Sequence, residues 1–288
     1  MNKLPQPLVN DALALENLSN NERVESFPHL RGSVEAITTG YAQYLAVQGD
    51  ALQVQNVPLS DDVKKFLKGH YGSPPADLGY IGDIRRNNRQ RVCPMCGSMH
   101  RNSLDHILPK NDFTAFAVFS LNLVPACSCN VKRGTTTIGL VPGARVLHPY
   151  FDECLADRLI SSQFDDLGLI PHISLRLLVD NTHPNYQAVV FHVAEIVSKS
   201  DILEYLMDSW TNLCQMPEQV IRALAEIPDT PRQLQAILMR ELEMLDGHRK
   251  GKNNWDSVFV HGLLADEVLE WLFARLTAPG RGPEDPLI

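Results

Sequence analysis

Cys93-Pro94-Met95-Cys96, then Leu104-Asp105-His106-Ile107-Leu108-Pro109-Lys110, then Asn122-Leu123-Val124-Pro125-Ala126-Cys127-Ser128-Cys129-Asn130-Val131-Lys132-Arg133-Gly134 make up the stretch on which the reading of this chain turns. Two cysteines separated by two residues let two thiolates grip one tetrahedral ion from a tight knuckle. Cys127 and Cys129 supply a second pair further along. Four thiolates in two close pairs point to a structural zinc ion over buried free thiols. Cys154 and Cys214 have no such neighbours and read as small buried hydrophobes.

Charge is uneven on either side of that stretch. Between Gly82 and Arg145 stand nine basic residues, Arg85, Arg86, Arg89, Arg91, Arg101, Lys110, Lys132, Arg133 and Arg145, against Asp83, Asp105 and Asp112. That local balance of +6 sits in a chain of net charge −8, so the remainder carries −14. Asymmetry of this kind points to a segment facing a polyanion, with a solvated basic face as the alternative.

The length of 288 residues suggests two folding units at about 150 residues each, or one large domain. A chain of this size buries enough surface to need no disulfides. With 44% hydrophobic and 21% charged residues, disorder, collagen and coiled coil are excluded. Met1 to Asn20 lacks the basic and apolar regions of a signal peptide, and no run approaches a membrane span. The expectation is a cytoplasmic protein with no membrane contact, its cysteines reduced or metal-bound.

Three regions follow: 1–81, 82–148 and 149–288. The first is expected to be helical, with Val34, Ile37, Tyr41 and Leu45 on one stripe. Ser60 is expected to cap a helix through Val63, Phe66 and Leu67, with Asp61 and Asp62 in its first turn. Gly72-Ser73-Pro74-Pro75 and Gly79–Gly82 read as breaks. Beyond Pro149, Ile173–Val179 and Gln187–Val193 read as a strand pair. Helices are expected over Asp201–Leu213 (Ile202, Tyr205, Leu206, Trp210, Leu213), after Thr230-Pro231 (Leu234, Ile237, Leu238, Leu242), and from Trp255 to Leu276. The tail Pro279–Ile288 is expected to be loose. The fold class is therefore α+β.

The quoted motifs, in their order, resemble the HNH endonuclease family, in its zinc-stapled branch with CxxC, then DHxxP, then NL and CNxxK. The resemblance covers Cys93 to Gly134, about one seventh of the chain. It implies a small ββα-metal nuclease module inserted between a helical N-terminal region and a mostly helical C-terminal region. It also implies metal-dependent hydrolysis of phosphodiester bonds. His106 takes the place of the general base. Asn122 takes that of the residue orienting it, and Asp105 and Asn130 those of ligands to a catalytic Mg²⁺ or Mn²⁺. Cys93, Cys96, Cys127 and Cys129 would hold the structural Zn²⁺, and Lys110, Lys132 and Arg133 would contact phosphates. The second cysteine pair has one intervening residue where the family usually has two, which leaves open whether both bind zinc; His100 is a substitute. Neighbours on a regular strand face opposite ways, so Asp105 and His106 can share a site only at a twisted or interrupted strand end.

DNA is the favoured substrate. The alternatives are an RNA endonuclease, for example of tRNA, using the same site, and a catalytically silent zinc-dependent nucleic-acid-binding module. His148-Pro149-Tyr150-Phe151-Asp152 resembles, more weakly, a segment of bacterial HNH proteins that include phage-defence effectors. That resemblance implies a protein partner such as an ATPase or sensor subunit.

Overall fold

The computed structural model describes residues 1–86, 92–99 and 103–288; Arg89, Arg91, His100 and Arg101 therefore lie outside the described residues. The chain is α+β, with helices around two small antiparallel strand pairs. Among the described residues no helix is long and apolar enough to cross a membrane.

The N-terminal region folds as α1 (Asp11–Asn20), α2 (Val34–Ala46), α3 (Asp61–Gly72) and α4 (Gly79–Arg86). The Ser60 side chain accepts from the Val63 N–H, and the helix it starts ends at the Ser-Pro-Pro break. Gly79–Gly82, expected to interrupt, instead opens α4, with Ile81 buried beneath it. On α2 the buried stripe is Ile37, Gly40, Tyr41 and Tyr44, while Leu45 is exposed. The tyrosines win that face because aromatic partners await them. Tyr41 stacks on Phe119 at 4.1 Å, and Tyr44 meets Phe116 and Phe119 at 5.1 and 5.2 Å. Helix α2 thus fixes the loop between the two central strands.

Those strands are β1 (Ser103–His106) and β2 (Leu123–Ala126), paired antiparallel with His106 opposite Leu123. Helix α5 (Cys129–Arg133) follows β2 at once. It ends at Gly134, whose φ of +69° is a conformation glycine adopts without steric cost.

The second strand pair is β3 (Ile160–Asp165) with β4 (His172–Leu177). Its β4 matches the expected first strand, but Gln187–Val193 is not its partner. That run lies in α6 (Tyr186–His192) and a following π-helical turn, with Ala188, Val189 and His192 buried at helical spacing. The true partner escaped notice because its Ser161 and Ser162 are buried polar residues. They bond to His261 Nδ1 at 2.7 Å and the Val258 carbonyl at 2.9 Å.

The remaining helices are α7 (Ile202–Gln215), α8 (Pro217–Val220), α9 (Pro231–Arg249), α10 (Trp255–Leu263) and α11 (Asp266–Leu276). Thr230 caps α9 as expected. Leu264-Ala265 splits the last expected helix in two, and the tail is anchored, with Leu287 buried and its N–H on the Cys214 carbonyl at 2.7 Å. One continuous apolar core runs through all three regions.

Two buried histidines brace this core as neutral tautomers. His148 Nδ1 accepts from the Tyr150 N–H (3.2 Å), so its Nε2–H faces the Tyr44 hydroxyl (2.9 Å). His192 Nδ1 accepts from the Leu147 N–H (3.0 Å), so its Nε2–H donates to the Met95 carbonyl (2.7 Å). Burial pushes their pKa values down to about 3 and about 4. Both are depressed, so their stabilisation is complete above the unfolded value near 6.5 and is lost as pH falls below it. At pH 5 each costs about 2 kcal/mol relative to neutral pH. Asp11 acts oppositely: burial raises it to about 6, and its protonation on acidification returns about 1 kcal/mol. From these three groups alone the expectation is a melting temperature lower by roughly 6 °C or more at pH 5 than at pH 7.5, measured by calorimetry, and His106 and His261, both depressed to about 4, act in the same direction. An unchanged melting temperature would contradict the burial of these rings in the neutral form.

Candidate functional site

The four thiols come together. The ligand atoms of Cys93, Cys96, Cys127 and Cys129 all lie within 4.8 Å of one another, and all four residues are buried. Zinc–thiolate bonds of about 2.3 Å in a tetrahedron require sulfur–sulfur edges of about 3.8 Å. The observed Cys93–Cys129 and Cys96–Cys127 separations are 3.7 and 3.4 Å. The single intervening residue does not exclude either member of the second pair. It turns the chain so that the Cys129 N–H points at Cys127 Sγ (3.4 Å), while the Cys127 N–H points at Cys93 Sγ (3.4 Å). These residues fit a four-coordinate metal ion such as zinc. Cys154 and Cys214 stand apart, and burial pushes each thiol up to about 11.

The knuckle is gripped from outside the quoted stretch. Trp255 donates from Nε1 to the Cys96 carbonyl (2.9 Å) and from its backbone N–H to the Gly97 carbonyl (3.2 Å). His192 holds the Met95 carbonyl. Gly97 has φ +86°, and a Cβ there would stand 2.1 Å from the Asn253 carbonyl oxygen. Gly97→Ala therefore combines left-handed strain with a backbone clash and is expected to lower stability by roughly 2 kcal/mol or more in denaturant unfolding. A variant as stable as wild type would refute this packing.

Beside the cluster lies a small cavity lined by Tyr71, Asp105, His106, Pro109, Lys110, Asn111, Asn130, Arg133 and Gly134. Strand β1 ends at His106, which resolves the problem of opposed neighbours. The Asp105 carboxylate curls back to accept the His106 N–H at 2.7 Å, so both residues line one space. His106 Nε2 is 2.9 Å from the Ala117 carbonyl. A carbonyl only accepts, so Nε2 carries the proton and Nδ1 keeps its lone pair. That Nδ1 lies 4.0 Å from Asp105 Oδ1. Burial, with Lys110 and Arg85 adding to it, pushes the imidazole down to about 4, against the opposing pull of the Ala117 carbonyl and Asp105. The ring is neutral at physiological pH and can take a proton at Nδ1.

Asn122 is fully buried and does not line the cavity. Its side-chain oxygen accepts from the Leu108 N–H (2.8 Å) and the Tyr44 hydroxyl (3.3 Å), and its amide donates to the Leu108 and Phe116 carbonyls (3.0 and 3.2 Å). It fixes the loop that presents the Ala117 carbonyl to His106.

The three cations part company. Lys110 lines the cavity, its ammonium 4.6 Å from the Tyr71 ring centroid. Arg133 lines it too, but its guanidinium is buried and donates to the Ile107 and His106 carbonyls (3.1 and 3.2 Å). Lys132 does not line it; it pairs with Asp201 at 2.5 Å, beside Cys127 and Cys129. On a helix, neighbours 132 and 133 point about 100° apart, so one position faces the cavity and the next leaves it. Tyr71 was absent from the sequence reading, since an aromatic in an amphipathic helix carries no signal of the space it faces.

No protein-family model matches the chain, and comparisons with curated proteins and with solved structures give no significant match.

Proposed function

We propose that this protein is a metal-dependent endonuclease of the HNH type that hydrolyses phosphodiester bonds of DNA. The observation that carries the reading is one cavity lined jointly by Asp105, His106, Lys110 and Asn130, directly beside a four-thiolate cluster. These are the residues that the motif resemblance pairs, and a silent zinc module has no need to gather them.

The donor set suits a hard divalent cation. Asp105 offers a carboxylate, and Asn130 an amide whose Nδ2 is buried with no partner among the described residues. As oriented, the Asn130 amide presents Oδ1 to Cys129 Sγ at 4.0 Å. A zinc-bound thiolate has no proton to give, so loading the cluster favours the turned amide. The N–H group then meets sulfur, and the oxygen is freed for a ligand. Held by Asp105 and Asn130, Mg²⁺ or Mn²⁺ would neutralise charge on the scissile phosphoryl group and the leaving 3′-oxygen.

His106 Nδ1 takes a proton from water as the new oxygen–phosphorus bond forms, and the phosphorus–O3′ bond breaks in line. The departing 3′-oxygen takes a proton from solvent, so the products are a 5′-phosphate and a 3′-hydroxyl. Ala117 keeps the ring in the accepting tautomer, and Asp105 stabilises the imidazolium that forms. A role in phage defence beside an ATPase or sensor partner belongs to this proposal and rests on the weaker resemblance at His148–Asp152.

The test is incubation of the purified chain with plasmid, single-stranded DNA and total RNA, in Mg²⁺, in Mn²⁺ and in EDTA. DNA cleavage in the metal arms that stops in EDTA is the expected result. Cleavage of RNA alone would replace the substrate, and no cleavage of any of them would favour the silent binding module.

A further inference from the structure

We propose that Tyr71 is a positioning residue that holds Lys110 and Arg85 as a phosphate-gripping wall for the DNA backbone, an inference that rests on the nuclease reading of the same cavity. Three groups converge on its ring. The His106 imidazole centroid lies 4.3 Å away, Lys110 Nζ lies 4.6 Å from the ring centroid, and Arg85 Cζ lies 5.0 Å from it. Arg85 is also tied to the Tyr71 carbonyl at 3.0 Å, and the Tyr71 hydroxyl donates to the Leu104 carbonyl on β1. One side chain on α3 thereby fixes a cation from α4, a cation from the loop after β1, and the imidazole.

What distinguishes these two cations is what they touch. In the same basic segment Arg86 holds Asp83, Lys132 holds Asp201, and Arg145 holds Asp152 and Asp50. Each of those charges is cancelled by a carboxylate. Lys110 and Arg85 have no carboxylate partner within salt-bridge distance among the described residues and rest on an aromatic ring instead. A ring attracts a cation through its quadrupole but has no net charge, so it orients the cation without neutralising it. Arg133 at the same cavity bonds only to neutral carbonyls. The lining therefore sets Lys110 and Arg133 against the one carboxylate of Asp105, and Arg85 adds a third positive charge at the Tyr71 ring, an excess that suits successive backbone phosphates. Helix α3 thus completes the cavity through Tyr71.

The experiment measures binding of a fluorescein-labelled DNA duplex to the full chain by anisotropy, without added divalent cation, across a salt titration. Each phosphate neutralised on duplex DNA contributes about 0.9 to the slope of log affinity against log salt. Lys110→Ala and Arg85→Ala are each expected to make the slope shallower by about 0.9, and Tyr71→Leu by about 0.9 or more, since it frees Lys110 while the bond from Arg85 to the residue 71 carbonyl survives. Tyr71→Phe keeps the ring and the wild-type slope. A purely structural Tyr71 would reduce the active fraction and leave the slope intact, which overturns the proposal. Where Tyr71→Leu fails to fold, the two cation variants decide: unchanged slopes overturn it, shallower ones support it. Wild-type cleavage with unchanged slopes sinks the wall alone, whereas absence of cleavage sinks the nuclease reading.

Discussion

Stripping the metal from the four-thiolate cluster is expected to unfold the centre of the molecule as well as to silence it. Structural zinc contributes about 10–16 kcal/mol in small zinc-dependent peptides, as much as the whole stability of a typical domain at about 5–15 kcal/mol. The knuckle is also a junction. Its Met95, Cys96 and Gly97 carbonyls are held by His192 and Trp255, so loosening it frees the start of α10. Elemental analysis should find one zinc per chain. Cys129→Ser should lose it, with a red shift of tryptophan fluorescence as Trp255, only 5% exposed, meets water. Cys154→Ser, remote from the cluster, should retain the metal. A chain that binds no zinc and melts unchanged in chelator would show the thiols to be ordinary buried cysteines.

The cluster was legible because a thiolate pair two residues apart has few other uses, whereas of the second strand pair only β4 was legible and its partner was not. Ile160–Asp165 reads Ile-Ser-Ser-Gln-Phe-Asp, and its inward serines are satisfied by groups about 100 residues away in α10. Nothing local announces such bonds. Gln187–Val193 is β-branched enough to suggest a strand, yet burial at helical spacing outweighs that preference. The Tyr44 hydroxyl shows the same limit at the site. It links Asn122 of the third motif to His148 of the His148–Asp152 segment, through a helix that neither contains.

Charge was legible only in bulk. The balance of +6 drew attention to residues 82–145, but three of its six described cations are bound to carboxylates. Arg145 is the clearest case. Its bidentate pair with Asp152 (both 2.7 Å) holds the turn from which the His148 N–H also reaches Asp152, so it works as an internal brace. A sequence sum counts each charge equally, whereas the field at a site depends on which charges lack partners.

His106→Ala is expected to reduce cleavage by about 10²- to 10⁴-fold, the usual contribution of a positioned general base. That corresponds to about 3–5 kcal/mol of transition-state stabilisation. The loss has a structural rival, because removing a buried ring leaves the Ala117 carbonyl without its donor, at about 1–3 kcal/mol of stability. The two causes separate by measurement. A folding defect lowers the active fraction, the zinc content and the melting temperature together, while loss of the base lowers the rate of a fully folded, DNA-binding protein. His106→Asn sharpens the comparison, since its amide retains an N–H donor but has no basic nitrogen. Both variants should bind duplex DNA with wild-type salt dependence and cleave it slowly. Asn122→Ala should instead lose stability first, because three hydrogen bonds to the loop and one from the Tyr44 hydroxyl disappear with its side chain. A His106→Ala protein cutting within about three-fold of wild type would remove the general base from the mechanism, since an effect that small is far below what proton transfer contributes.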